Sequence, residues 1–176
     1  MKDMQHSLPY ELLHVIDMRA RSASAEGLGG GEIGVILRVD GDEVFASMTE
    51  VAEIIPPLQL SRVPGSKPWV LGIGNLHGDL LPVFDLAGFV TGVPTPRDER
   101  DNRILVVEHD GARCGLLVEA VLGQRAVEKG GVRAAPDVTG KSAAWIVAGW
   151  ELDGETRPAL GLRRLVDSAS FHDVAA

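Results

Sequence analysis

The chain has 176 residues, a formal charge of −8, 45% apolar residues and one cysteine. That length fits one domain or two small lobes around a common interior, and the apolar content is too high for wholesale disorder. The acidic balance argues against nucleic acid or an anionic membrane as partner, and a lone thiol builds neither an internal disulfide nor a thiolate metal site.

No apolar segment follows Lys2, so no signal peptide is expected, and no stretch approaches the ~18 apolar residues of a membrane span. Ser7 is placed to cap a helix, with Pro9 in its first turn. Leu12, Leu13, Ile16 and Ala20 then recur at helical spacing, while Glu11, His14, Asp17 and Arg21 face away. Arg19 and Arg21 suit the negative end of the helix dipole. The run Gly27-Leu28-Gly29-Gly30-Gly31 stops the helix and reads as a flexible linker. Residues 1–33 are therefore expected to be an amphipathic helix on a tether, packed on its own domain or on a partner.

From Gly34 the pattern turns to strands. Val35-Ile36-Leu37-Arg38-Val39 and Val44-Phe45-Ala46-Ser47 flank a tight hairpin turn at Gly41. Residues 48–55 read as a short helix with Met48, Val51, Ala52 and Ile55 on one face, ended by Pro56-Pro57. Residues 69–90 are strand-rich and punctuated by Gly72, Gly74 and Gly78, and the charged stretch 95–102 reads as a solvated loop.

The second half repeats the first. Residues 104–118 form another hairpin pattern around Gly111, which lies 70 positions after Gly41. Residues 69–90 align without gaps on 145–166 at an offset of 76, matching Trp69 to Trp145, Leu76 to Leu152, Gly78 to Gly154, Pro82 to Pro158, Leu86 to Leu162 and Val90 to Val166. Two copies are too few for a solenoid, and the simplest account is a duplicated β lobe too small to be robust alone.

Residue chemistry points to no active site. The glycines of Gly72-Ile73-Gly74-Asn75-Leu76-His77-Gly78 lead into a strand-like segment, whereas a phosphate-binding turn must open a helix. His6, His14, His77, His109 and His172 are scattered without metal-ligand spacing. Cys114 lies within an apolar strand pattern and reads as an inert buried thiol. Glu50 and Glu53 read as a solvated acidic edge. Asp85 is the best isolated acid, yet its counterpart in the second copy is Gly161, so a strand-end carboxylate is the better reading. No catalytic group, cofactor or metal is expected. Strands bordered by small residues and apolar surface over two lobes suit protein recognition.

The stretch Val63-Pro64-Gly65-Ser66-Lys67-Pro68-Trp69-Val70-Leu71-Gly72-Ile73-Gly74-Asn75-Leu76-His77-Gly78-Asp79-Leu80-Leu81-Pro82-Val83-Phe84-Asp85-Leu86 resembles the signature region of CheW-like chemotaxis adaptors. The likeness extends upstream to Val51-Ala52-Glu53-Ile54 and downstream to Gly115-Leu116-Leu117-Val118-Glu119-Ala120-Val121, and covers about residues 34–167. The segment Pro9-Tyr10-Glu11-Leu12-Leu13 with its trailing arginines is similar to the PilI branch, adaptors of twitching-motility systems.

The resemblance implies a mainly β fold: two SH3-like five-stranded β-barrels sharing a hydrophobic core, with short helices. It places the boundaries at 1–33 for the helix and linker, 34–167 for the CheW-like domain and 168–176 for a C-terminal tail. It implies a noncatalytic cytoplasmic adaptor that joins the tip of a methyl-accepting chemoreceptor to the regulatory domain of a CheA-type histidine kinase, within arrays at the inner membrane. Neither nucleic acid nor membrane insertion is implied. Partner-binding positions carried over from the family are Val51, Glu53, Gly72, Asn75 and position 77. The family has Arg at this last position, paired with the acid matching Glu53; His77 offers fewer donors and no fixed charge. Flagellar or other chemosensory output is the alternative, followed by a small β-barrel hydrolase using Asp85, His77 and Glu53. An adaptor fused to a receiver domain would need more chain than is present.

Overall fold

The computed structural model describes residues 31–98, 100–128, 131–134, 136 and 141–176. The helix expected near the N-terminus lies outside them. In chain order the elements are β1 (Glu32–Val39), β2 (Asp42–Ser47), β3 (Glu53–Ile55), β4 (Val70–Leu76), β5 (Asp79–Asp85), α1 (Leu86–Val90), β6 (Arg103–His109), β7 (Ala112–Val118), β8 (Ala120–Val127), β9 (Val132–Arg133), β10 (Ile146–Leu152), β11 (Glu155–Leu160), α2 (Leu162–Val166) and α3 (Ala169–His172). Two sheets result, with strand orders β8-β1-β2-β11-β10-β9 and β3-β6-β7-β5-β4. The two expected lobes are present, and the two-residue β9 adds a sixth strand to one of them.

Turn chemistry sets the hairpins. Asp40-Gly41, His77-Gly78, Asp110-Gly111 and Asp153-Gly154 all take positive φ at both residues, as two-residue turns of the I′ type require. His77 pays a small steric cost there (φ 55°) that Asn or Asp escapes.

The sequence repeats do not coincide with the lobes. One repeat comprises β1-β2, β3 and β4-β5-α1; the other comprises β6-β7, β8 and β10-β11-α2. The hairpin β1-β2 leaves its own repeat, pairing with β8 on one side and, in parallel, with β11 on the other. Reciprocally, β6-β7 pairs with β3 and, in parallel, with β5. Each lobe is thus built from the hairpin of one repeat and the remaining strands of the other.

This exchange explains the continuous apolar runs of the hairpin strands, which are buried on both faces. Val35, Leu37 and Val39 of β1, Leu105 and Val107 of β6, and Leu116 and Val118 of β7 all enter one core shared by the two sheets. Leu86, Leu162, Leu165 and Phe171 from the three helices complete it. The alternate residues turn inward to each lobe's private core: Ile36 beside Phe45 and Trp150 in one, Ile104, Val106 and Leu117 beside Val83 in the other. Trp69 and Trp145, equivalent in the repeats, both pack on Phe89, with ring centroids at 4.9 and 5.4 Å.

Residues 48–55 are not a helix. Ser47 Oγ accepts from Thr49 N at 3.3 Å and caps a single 3-10 turn, Met48–Glu50, after which Val51 is extended and β3 pairs with β6. The spacing of Met48, Val51, Ala52 and Ile55 fits a helix, but β-branched residues beside an open strand edge favour pairing. The change of conformation also separates Glu50 from Glu53. Glu50 is no solvated edge: its carboxylate accepts from Leu162 N at 2.9 Å and Arg163 N at 3.4 Å, capping α2 in the other repeat. Arg163 answers by donating to Thr49 O at 2.7 Å. In the first repeat the same service is local, since Asp85 caps α1 through Gly88 N at 3.0 Å. Gly161 has no side chain to do so, and the cap comes from 112 residues away.

Residues 168–176 are woven into the body. Phe171 is buried in the shared core, Lys67 N donates to Val174 O at 2.9 Å, Ala176 N donates to Gly65 O at 2.9 Å, and Lys67 meets Asp173 at 2.5 Å. The 95–102 loop is also anchored, with Thr95 and Asn102 buried.

Glu50→Ala is expected to destabilise the protein by about 1 kcal/mol, the usual cost of a lost helix cap. Denaturant unfolding checks this; an unchanged midpoint would mean that water replaces the carboxylate without loss.

Candidate functional site

The five positions carried over from the family separate into a surface pair, a turn residue and two supports. Glu53 opens β3 and His77 sits in the turn after β4, at opposite ends of the strand order. A flat sheet would hold those edges roughly 19 Å apart at the usual strand spacing of ~4.8 Å. Instead Glu53 Oε1 lies 3.2 Å from His77 Nε2, so the sheet curls until its edges meet, in the manner of a small barrel. The Glu53 side chain is only 13% exposed, whereas that of His77 is 69% exposed. As a partly solvated pair it contributes roughly 0.2–1 kcal/mol to folding. Its greater consequence is to present an imidazole at the surface with one nitrogen already engaged.

Asn75 shapes the same turn, its Oδ1 accepting from Gly78 N at 3.1 Å. Val51 lies in the shared core and holds the β3 approach from within. Gly72 is a support of another kind. It has φ 141° beside a register shift in β4, and a Cβ there would fall 2.4 Å from Ser61 O. Only glycine lets residue 61 lie against β4, where Ser61 and Ile73 exchange two backbone hydrogen bonds of 2.9 Å.

That close approach builds a groove of about 530 Å³ beside the turn, lined by Gln59, Leu60, Ser61, Ile73, Asn75 and Leu80. Leu80 is 77% exposed and Ile73 also reaches solvent. Neither was singled out from the sequence, although Leu80 breaks the alternation of β5: Leu81 points inward, so its neighbour should be polar on a face that served solvation alone. The face therefore combines an exposed leucine, a groove of mixed polar and apolar lining, and an acid–imidazole pair.

The remaining candidates are structural. Asp85 is 3% exposed, and its oxygens accept from Gly88 N, from Thr95 N at 2.9 Å and from Thr95 Oγ1 at 2.6 Å. Its lone pairs are committed to a helix cap and a loop anchor, as the strand-end reading expects. Cys114 is half-buried, and desolvation pushes its thiol from an ordinary 9.0 up to about 12. His109 is held by Asp167 at 2.9 Å. Among the described residues no group of three or more His, Cys, Asp or Glu is placed to hold a metal ion, and no helix is long and apolar enough to cross a membrane.

Comparison with known proteins matches residues 34–170 to the CheW-like domain family. Protein PilI of Pseudomonas aeruginosa is 37% identical over 131 residues, 71% of this chain and 71% of that protein. Chemotaxis protein CheW of Bacillus subtilis is 28% identical over 107 residues, 61% of this chain and 68% of that one. The crystal structure of the scaffolding protein TtCheW from Thermoanaerobacter tengcongensis has the same fold, with a TM-score of 0.70 at 23% identity, covering 80% of this chain and 96% of that chain.

The raised thiol predicts a slow cysteine. At pH 8 the folded protein should react with iodoacetamide about two to three orders of magnitude more slowly than the unfolded chain, because the thiolate is the nucleophile. The folded pKa lies above the unfolded one, so any associated stability is present below about pH 9 and is lost as pH rises toward 12. Alkylation within tenfold of the unfolded rate would contradict this.

Proposed function

The chain belongs to the CheW-like family of noncatalytic scaffold and adaptor proteins, and on that premise we propose that it couples methyl-accepting chemoreceptors to a CheA-type histidine kinase in a system controlling type IV pilus twitching motility. The kinship with PilI over most of the domain supports the pilus branch. The observation that carries a coupling role is the face around the β4–β5 turn. There Leu80, 77% exposed, stands beside an open groove and the Glu53–His77 pair. Leu80 and Ile73, both exposed along one groove with polar groups around it, have the composition of a protein-binding surface. In this reading Glu53, Asn75 and His77 meet the partner directly, and Val51 and Gly72 hold them in place. The working place is the cytoplasmic side of the inner membrane, where receptor tips and kinase assemble.

His77 tunes partner choice. The imidazole reaches Glu53 through one nitrogen and leaves the other for a partner, whereas an arginine would add a permanent charge and a forked donor. Selection among receptor or kinase sequences, rather than fold stability, is the consequence.

Binding of the purified protein to a receptor signalling-tip fragment and to the kinase regulatory domain tests the proposal. The wild type should bind both. Leu80→Asp should weaken at least one complex by about ten- to a hundredfold, the worth of one buried leucine, while leaving the melting temperature unchanged. His77→Ala should weaken the same complex less. Failure of the wild type to bind either fragment, where a control adaptor binds both, would overturn the assignment.

A further inference from the structure

A second cleft lies beside the hairpin β6-β7 of the five-stranded sheet. It measures about 430 Å³ and opens between the Asp110-Gly111 turn and the end of the chain. Phe84, Val107, Val166 and Phe171 form its floor, and Cys114 and Val174 its sides. Both signs of charge stand on the rim, in Asp110 and Asp167 against Arg113, with the His109 imidazole beside them. Arg113 Nε is buried without a hydrogen-bond partner, the Glu108 carboxylate being 3.9 Å away.

We propose that this cleft is the docking site of the chain's own residues 7–21, with Leu12, Leu13 and Ile16 seated on Phe84, Val107 and Phe171. The apolar stripe of that segment is three residues wide and has its charges on the flanks, matching an apolar floor with a charged rim. Asp17, at the edge of that stripe, supplies a carboxylate for Arg113.

The tether is long enough. Gly34 faces Ser47 across the first hairpin; Glu50 holds the start of α2, and Val166 at the other end of α2 lines the cleft. Followed from Gly31, this path is at most roughly 35 Å. On the sequence reading of a helix to residue 21 and an extended linker over 22–31, the chain after Ile16 can span up to about 40 Å. A tether that reaches the cleft makes docking an intramolecular event, independent of protein concentration. The proposal does not depend on the coupling role.

Disulfide trapping in the full-length protein tests it. In a Cys114→Ala background, Leu13→Cys is combined with Ala112→Cys on the cleft rim, and His14→Cys with Ala112→Cys serves as the control from the polar face. Mild oxidation should close the Leu13 pair within one molecule about tenfold faster than the control, since a disulfide needs Cα atoms within about 7 Å. Equal rates, or disulfide-linked dimers alone, would overturn the proposal, dimers assigning the cleft to a second copy. Independently, the triple change Leu12→Asp, Leu13→Asp and Ile16→Asp should speed alkylation of the native Cys114 several-fold by uncovering it. An unchanged rate would count equally against the proposal.

Discussion

The burial of two hairpins on both faces is the constraint from which the rest follows. β1-β2 and β6-β7 each join the sheet made by the other repeat, and their outer faces meet in a core that belongs to neither lobe. A single repeat is small enough to be only marginally stable alone. Exchange of the hairpins removes that problem, because the strands of each lobe are completed only when both repeats are present. The parallel β2–β11 and β5–β7 pairings are the joints at which this happens. They join residues far apart in the chain, so the architecture depends on nonlocal contacts.

The short stretch from Ser47 to Ile55 connects this joint to the proposed binding face. Within it Glu50 caps a helix of the other repeat, Val51 enters the shared core, and Glu53 engages His77 at the surface. The backbone that supports the surface carboxylate is therefore tied at two adjacent points to the junction between lobes. A face fixed in this way is preorganised for a partner, which lowers the ordering cost of binding. Divergence of the repeats is part of the same design: Asp85 anchors α1 and the following loop, while Gly161 leaves α2 to be held by Glu50.

Local features of the fold were readable from the sequence where local chemistry decides them. Asp40-Gly41 and Asp110-Gly111 announce two hairpins, and the aligned Trp69 and Trp145 announce the duplication. The segment 48–55 misleads because its apolar residues satisfy a helical period, and the open edge of β6 that claims it is 50 residues further on. Glu50 could not be recognised as a cap, since the amides it serves lie at Leu162 and Arg163. The exchange of hairpins was invisible for the same reason, as nothing in a strand's own pattern says which repeat will pair with it. At the candidate site, the Glu53–His77 contact was legible only through family resemblance, whereas Leu80 carried its own signal as an apolar residue on the outward side of β5.

A scaffold needs a body that does not come apart under load, and the exchanged hairpins supply one. Native-state hydrogen exchange of the β1, β2, β6 and β7 amides across a denaturant series tests this most directly. The account predicts that all four strands exchange only through global unfolding, with one free energy and one denaturant dependence. Earlier opening of either hairpin, with the other still protected, would contradict it.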